Sequence, residues 1–264
     1  MPYHAVAGQK SYFVRRGPIP ASQHPVVFVH GAGGTHQHWL YQIRDLSQAL
    51  AYAMDLPGHG RSEVPGRNSI REYASWLVDF LDAVELERVV LVGHSMGGAI
   101  ALSSALSFPE RIAGLGLVAT GGRLRVSPTL LETIQQDPEA AVSAICRSAF
   151  GPGVPPQMLR QGRQQMESVP ADVLRGDFRA CDEFDVISRL GEIAAPTLVL
   201  CGTCDALTPA KYSVYLRDHI QGSQLSLIEG AGHMVMLERP QEVLKALEGL
   251  LTNLQIGSSP EPGG

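Results

Sequence analysis

The stretch Arg88-Val89-Val90-Leu91-Val92-Gly93-His94-Ser95-Met96-Gly97-Gly98-Ala99-Ile100-Ala101-Leu102 decides the fold. After Arg88 come four apolar residues, three of them β-branched, which predict a short buried strand. From about Met96 a run rich in Ala, Leu and Ser continues to Phe108 and stops at Pro109, which predicts a helix. Between them stands G-x-S-x-G. Where this motif joins a strand to a helix, it forms a tight turn that pushes the serine hydroxyl out beyond the sheet. Gly93 and Gly97 suit such a turn, because bulkier side chains would collide with neighbouring backbone. The helix start also brings its positive dipole end close to the hydroxyl. Ser95 is therefore the candidate nucleophile.

A serine hydroxyl needs an adjacent base, and the base needs a group to orient it. Working outward from Ser95, the other strands place the candidates. The apolar run Thr197 to Leu200 is followed by Gly202-Thr203-Cys204-Asp205-Ala206-Leu207-Thr208-Pro209, and the strand ending at Ile228 by Gly230-Ala231-Gly232-His233. Asp205 and His233 thus lie on loops after strands, where open α/β sheets build their sites, and in the chain order serine, acid, histidine. Taken singly, an Asp in such a loop reads as a turn residue and a His between small residues as surface. Together with Ser95 they read as a triad. Thr120-Gly121-Gly122 follows the earlier strand without a carboxylate, so the rival position for the acid is empty.

An oxyanion hole requires two backbone N–H groups aimed where negative charge develops. One is expected from Met96, the residue after the nucleophile. The other is expected from His30-Gly31-Ala32-Gly33-Gly34, directly after the strand Val26 to Val29, with Ala32 first and Gly33 second.

The rest of the chain fits an α/β fold. Strands around His4 to Ala7 and Tyr12 to Val14 read as an opening hairpin, Ala51 to Asp55 as a further strand, and Leu115 to Val118 as another. Ser69 and Glu72 form a Ser-x-x-Glu capping box ahead of Ile70, Tyr73, Trp76, Leu77, Phe80, Leu81 and Val84 at helical spacing. Pro240 suits the first turn of a last helix carrying Val243, Leu244, Leu247, Leu250 and Leu251. Between Gly121 and Leu190 the strand–helix rhythm breaks into short helical pieces divided by prolines. The expected organisation is a core of residues 1–121 and 191–257, a helical cap of residues 122–190, and a disordered tail of residues 258–264.

Composition excludes several classes. The 264 residues carry a net charge of -5 without long runs of one sign, which gives no footprint for nucleic acid. The doublet Arg15-Arg16 reads as a solvated strand end. No apolar run reaches the roughly 18 residues of a membrane span, and the first residues lack the pattern of a signal peptide. With four cysteines, the expectation is a reduced, cytoplasmic protein without cofactor or metal. Cys201-Gly202-Thr203-Cys204 has redox spacing, but it follows a strand instead of opening a helix, and is read as coincidence.

These residues resemble the α/β-hydrolase superfamily, over nearly the whole chain. His30-Gly31 with Trp39, Asp55 to Ser62, Gly93 to Gly98, Gly202 to Pro209 and Gly230 to His233 look like five successive signatures, and the nearest branch is the carboxylesterase and lactonase-like one. The resemblance implies a mostly parallel sheet of about eight strands with a helical cap. It also implies triad roles for Ser95, Asp205 and His233, and oxyanion-hole roles for Ala32 and Met96. The expected function is hydrolysis of small-molecule carboxylic esters of short or medium acyl chains through an acyl-enzyme. Lactone, thioester, perhydrolase or carbon–carbon bond chemistry on the same triad, or a ligand-receptor role, are the alternatives. Among the other histidines, His30, His59 and His94 are expected to fix turns, and His36 and His38 to lie at the surface, with the pocket entrance as their alternative. Leu130, Leu131, Phe150, Met158 and Met166 either line an acyl pocket or pack the cap onto the sheet.

Overall fold

The chain opens with the expected hairpin, Tyr3–Val6 (β1) against Gln9–Arg16 (β2), and the exposed Arg15 and Arg16 close its second strand. In this computed structural model residues 3–18 and 24–257 are described; the tail expected over 258–264 lies outside them. Six further strands follow: Val26–Val29 (β3), Ala51–Met54 (β4), Val89–His94 (β5), Ile112–Val118 (β6), Thr197–Gly202 (β7) and Gln224–Ile228 (β8). They form one eight-stranded sheet in the order β1-β2-β4-β3-β5-β6-β7-β8. β1 and β2 run antiparallel to their neighbours, and every pairing from β4 to β8 is parallel.

Parallel strands covered on both faces read as continuous apolar runs. All four residues of β3 and all six of β5 are buried accordingly. Alternate side chains enter opposite layers. Val27, Val29, Leu91 and Leu117 pack with helices Ile70–Ala83 and Met96–Ser107, whereas Val26, Phe28, Val90 and Leu200 pack with Trp39 and helix Pro240–Gly257.

Helix Ile70–Ala83 starts where the capping box predicts: the Ser69 hydroxyl accepts from the Glu72 N–H. The reciprocal bond is displaced by one residue, since the Glu72 carboxylate accepts from Asn68 N–H and not from Ser69. The six positions picked out by the spacing from Ile70 to Leu81 (Ile70, Tyr73, Trp76, Leu77, Phe80 and Leu81) are buried. Helix Met96–Ser107 is apolar on every side because it lies between the sheet and that helix.

Four helices stand between β6 and β7: Pro128–Gln136, Pro138–Ala149, Pro156–Glu167 and Ala171–Glu183. Prolines open the first three at positions where a missing N–H costs nothing. This helical insertion meets the loops at the carboxyl ends of the strands.

Candidate active site

At the end of β5 the backbone turns on Ser95, whose φ of 53° and ψ of -116° put a non-glycine residue in strained territory. Such a conformation costs about 1–3 kcal/mol and persists only where its surroundings hold it. Here the Ser95 N–H donates to the Val118 carbonyl at 2.9 Å, and the Thr120 hydroxyl donates to the Ser95 carbonyl at 2.8 Å. The flanking glycines are obligatory: a Cβ on Gly93 would stand 2.0 Å from the Gly97 carbonyl oxygen, and one on Gly97 2.4 Å from that of Val29. The Ser95 hydroxyl makes no hydrogen bond among the described residues and lines a cavity of about 360 Å³.

His233 lines the same cavity. Its Nδ1 stands 2.9 Å from Asp205 Oδ2, and the two side chains are almost fully buried. The Asp205 carboxylate is saturated. Oδ1 accepts from the Leu207 and Thr208 N–H groups at 2.9 and 2.8 Å, and Oδ2 also accepts from the Thr208 hydroxyl at 2.7 Å. Burial alone would raise the Asp205 pKa; His233 and these donors outweigh it and hold the carboxyl below its ordinary range. With Nδ1 engaged, Nε2 is the ring nitrogen left for the cavity. No bond joins it to Ser95 in this structure, and such catalytic contacts commonly tighten only when substrate is present.

Residues His30 to Gly34 approach from the end of β3. A Cβ on Gly31 would lie 3.1 Å from Ser95 Cβ, so backbone passes directly beside the serine. The Gly31 carbonyl accepts from Gly34 N–H at 3.0 Å and faces His30 Nδ1 at 2.8 Å. In a trans peptide N–H and C=O point opposite ways, so the Ala32 N–H is directed away from those donors. Neither it nor the Met96 N–H has a partner among the described residues. The alternative donor, Gly33 N–H, is already taken: it donates to Asp177 Oδ2 at 3.0 Å.

His30 is neutral with a fixed tautomer, because Nδ1 donates to Gly31 while Nε2 accepts from Leu56 N–H. Burial and the nearby His59 hold its pKa well below the ordinary value. His94 donates from Nε2 to the His233 carbonyl at 3.1 Å and is lowered likewise, by burial and then by His233. Both fix loops, as expected. His38 does not sit at the surface: it is buried and lines the cavity, its pKa pushed down to about 4 by burial and then by His233 and His59. The reason is the 3-10 turn His36–Trp39, which rolls His38 and Trp39 inward. His36 is partly buried and holds Asp55 at 2.7 Å.

The cavity is chiefly apolar. Leu130, Phe150 and Met166 line it, whereas Leu131 and Met158 do not; Met158 packs on the core. Two thiols, Cys146 and Cys181, also face it. Burial raises both, Cys146 to about 11, so each is a neutral thiol and a poor nucleophile. Cys201 and Cys204 are free thiols at the end of a strand. Among the described residues no group of three potential metal ligands converges, and no helix is long and apolar enough to cross a membrane.

A profile of the alpha/beta hydrolase family matches residues 26–246, which takes in every strand from β3 to β8. The chain belongs to this family. Among solved structures, a thermophilic esterase is 36% identical with a TM-score of 0.84, over 96% of this chain and 97% of the other. An enzyme degrading N-acyl homoserine lactones is 30% identical with a TM-score of 0.83, over 94% of this chain and 99% of the other. Among curated sequences, 3-oxoadipate enol-lactonase 1 of Acinetobacter baylyi is 24% identical over 89% of this chain and 91% of its own length.

Three contributors to this hydrolase's site are not assigned a part in it by the sequence reading. They are Thr208 under the Asp205 carboxylate, His38 in the cavity wall, and Asp177, which reaches the Gly31–Gly34 turn from the insertion.

Proposed function

We propose that the chain is a serine hydrolase that cleaves carboxylic esters of small or medium acyl chains through an acyl-enzyme. The observation that carries this reading is the buried Asp205–His233 pair opening onto the same cavity as Ser95, which stands free on a strained strand-to-helix turn. In the proposed reaction Ser95 Oγ bonds to the acyl carbon while His233 Nε2 takes its proton. The carbonyl oxygen becomes an oxyanion held by the Ala32 and Met96 N–H groups, where each donor contributes roughly 3–4 kcal/mol to lowering the barrier. Collapse breaks the ester C–O bond, and His233 returns the proton to the departing alcohol. Water then repeats the sequence on the acyl-enzyme, releasing the acid and restoring Ser95.

A cavity of about 360 Å³ with mainly apolar walls suits a short or medium acyl chain. Cyclic esters need the same groups, and the likeness to lactone-cleaving enzymes favours lactones as a second substrate class. Hydrolysis of p-nitrophenyl esters from acetate to palmitate, beside a set of lactones and with Ser95→Ala in parallel, tests the proposal. Turnover peaking at one chain length and lost in Ser95→Ala is expected. Unchanged turnover in Ser95→Ala would remove Ser95 from the mechanism.

A further inference from the structure

Asp177 lies on helix Ala171–Glu183 of the insertion, fully buried, and takes no part in the steps above. Its Oδ1 accepts from the Tyr73 hydroxyl at 2.7 Å, and its Oδ2 accepts from His59 Nε2 at 2.8 Å and Gly33 N–H at 3.0 Å. Three separate elements therefore converge on one carboxylate. The second ring nitrogen of His59 faces the Pro57 carbonyl at 3.0 Å. A carbonyl and a carboxylate can only accept, so both ring nitrogens carry hydrogen and His59 is a cation. A buried carboxylate is costly without a counter-charge, and here His59 supplies it. That leaves acceptor capacity on Oδ2 for the backbone of Gly33.

The bond to Gly33 matters because of the turn it joins. Residues Gly31 to Gly34 are closed by the Gly34 N–H to Gly31 carbonyl bond, and Gly33 in third position has a φ of 64°. Ala32 is absent from the positive-φ residues, so the turn is type II, in which the third position favours glycine. The central peptide, Ala32–Gly33, distinguishes this turn from type I by a flip of its plane. The N–H of that same peptide is the group that Asp177 holds. Side chains of Leu174 and Met166 pack over it, where a Cβ on Gly33 would stand 2.8 and 2.9 Å away.

We infer that Asp177 is a positioning residue: from the insertion it anchors the Gly31–Gly34 turn through its central peptide and so holds the preceding peptide, whose N–H is that of Ala32, in place toward the oxyanion. The docking of the insertion and the readiness of the hole are then one event. Asp177 touches no substrate; it acts through the backbone of the turn.

The inference rests on the serine-hydrolase reading, and the test separates the two. In Asp177→Asn the amide oxygen can still accept from Gly33 and His59, while its NH2 can donate to the Tyr73 oxygen; Asp177→Ala can hold none of them. Expected for Asp177→Ala is a fall in kcat of about 10- to 100-fold with KM changed less than about threefold, because the hole binds charge that exists only in the transition state. Asp177→Asn should recover most of it. Independently of any reaction, the Gly33 amide proton of the intact protein should resonate downfield and exchange slowly in 1H–15N spectra. An ordinary, fast-exchanging Gly33 amide in the unmodified protein overturns the inference, even if Asp177→Ala fails to fold. A folded Asp177→Ala with kcat within about twofold of the parent overturns it as well. Failure of a fluorophosphonate to label Ser95 overturns the hydrolase reading, and with it the proposed purpose of the turn, whatever the Gly33 amide shows.

Discussion

Replacing Asp205 by Asn tests the acid's role with an outcome that the surrounding donors dictate. Oδ1 accepts from two backbone N–H groups, Leu207 and Thr208, at 2.9 and 2.8 Å. An amide NH2 cannot accept, so the asparagine oxygen must occupy that position and its NH2 must take the place of Oδ2. One hydrogen can then go to the Thr208 hydroxyl, which reverses its role, and the other to His233 Nδ1, now 2.9 Å from a donor. His233 is forced to accept on Nδ1 and to carry its hydrogen on Nε2, facing the cavity, where a base is needed. The backbone bonds at Leu207 and Thr208 and the contact with His233 all keep a partner, so the fold should survive with its melting temperature little changed. Turnover should fall about 10³- to 10⁴-fold, equivalent to roughly 4–5.5 kcal/mol in the barrier. A wrong tautomer does not titrate away, so the deficit in kcat/KM for a p-nitrophenyl ester should stay constant from about pH 6.5 to pH 9. A variant retaining a tenth of the parent activity, or recovering it at high pH, would refute this reasoning.

Four other expectations follow from the same geometry. The folded-state values of His30, His38 and His94 lie below normal, so their contribution to stability is complete above about pH 6.5 and is lost as pH falls through each, His38's at about 4. The melting temperature should drop by about 4 °C or more from pH 7 to pH 5, and a flat profile would contradict the buried neutral state. His59, facing Asp177, Asp55, His30 and His38, behaves oppositely: burial opposes its protonation, Asp177 together with the Pro57 carbonyl and Asp55 outweighs burial, and the raised value means stability is lost as pH rises through it. Asp177→Asn should flatten that alkaline loss, and an unchanged slope would exclude the His59–Asp177 pair as its source. Gly93→Ala should cost about 3 kcal/mol or more, since its methyl would meet the Gly97 backbone at 2.0 Å; an unchanged urea midpoint would show that the elbow can relax. Leu130→Ala enlarges the cavity wall and should shift relative kcat/KM toward longer acyl chains by about tenfold; an unchanged chain-length profile would place the acyl chain elsewhere.

What the sequence discloses and what it hides divide along chain distance. Strands β3, β5 and β7 are legible as bounded apolar runs and β8 as the alternating segment Gln224 to Ile228, and the candidates Ser95, Asp205 and His233 stand out because each follows one of these strands within about five residues. The limits of a strand are less so: β6 begins at Ile112, ahead of the Leu115 expected, because Gly114 interrupts the apolar run while pairing with β5 resumes across a register shift between Val89 and Val90. Asp177 was hidden, since an acid on an amphipathic helix reads as solvated and its partners Gly33, His59 and Tyr73 lie 144, 118 and 104 residues away. That the Gly33 N–H is already engaged likewise shows only through that distant carboxylate. Between the surface and the pocket, the two places the sequence leaves open for His38, a single 3-10 turn decides by rolling the side chain inward, and no period of hydrophobicity records it.

The buried Glu238 has a consequence for anyone redesigning this hydrolase. One oxygen, Oε2, accepts both from Gly232, beside His233, and from Gly151, at the end of the second helix of the insertion; the Met234 N–H donates to Ala149 nearby. With Asp177 on Gly33, the insertion is thus stitched to the turn beside Ser95 on one side and to the neighbours of His233 on the other. It cannot be exchanged for another family member's as a cassette without carrying both seams, Asp177 and the backbone of 149–151. Libraries confined to inward-facing positions such as Leu130 and Ile145 leave the seams intact and are the safer route to new substrate preferences.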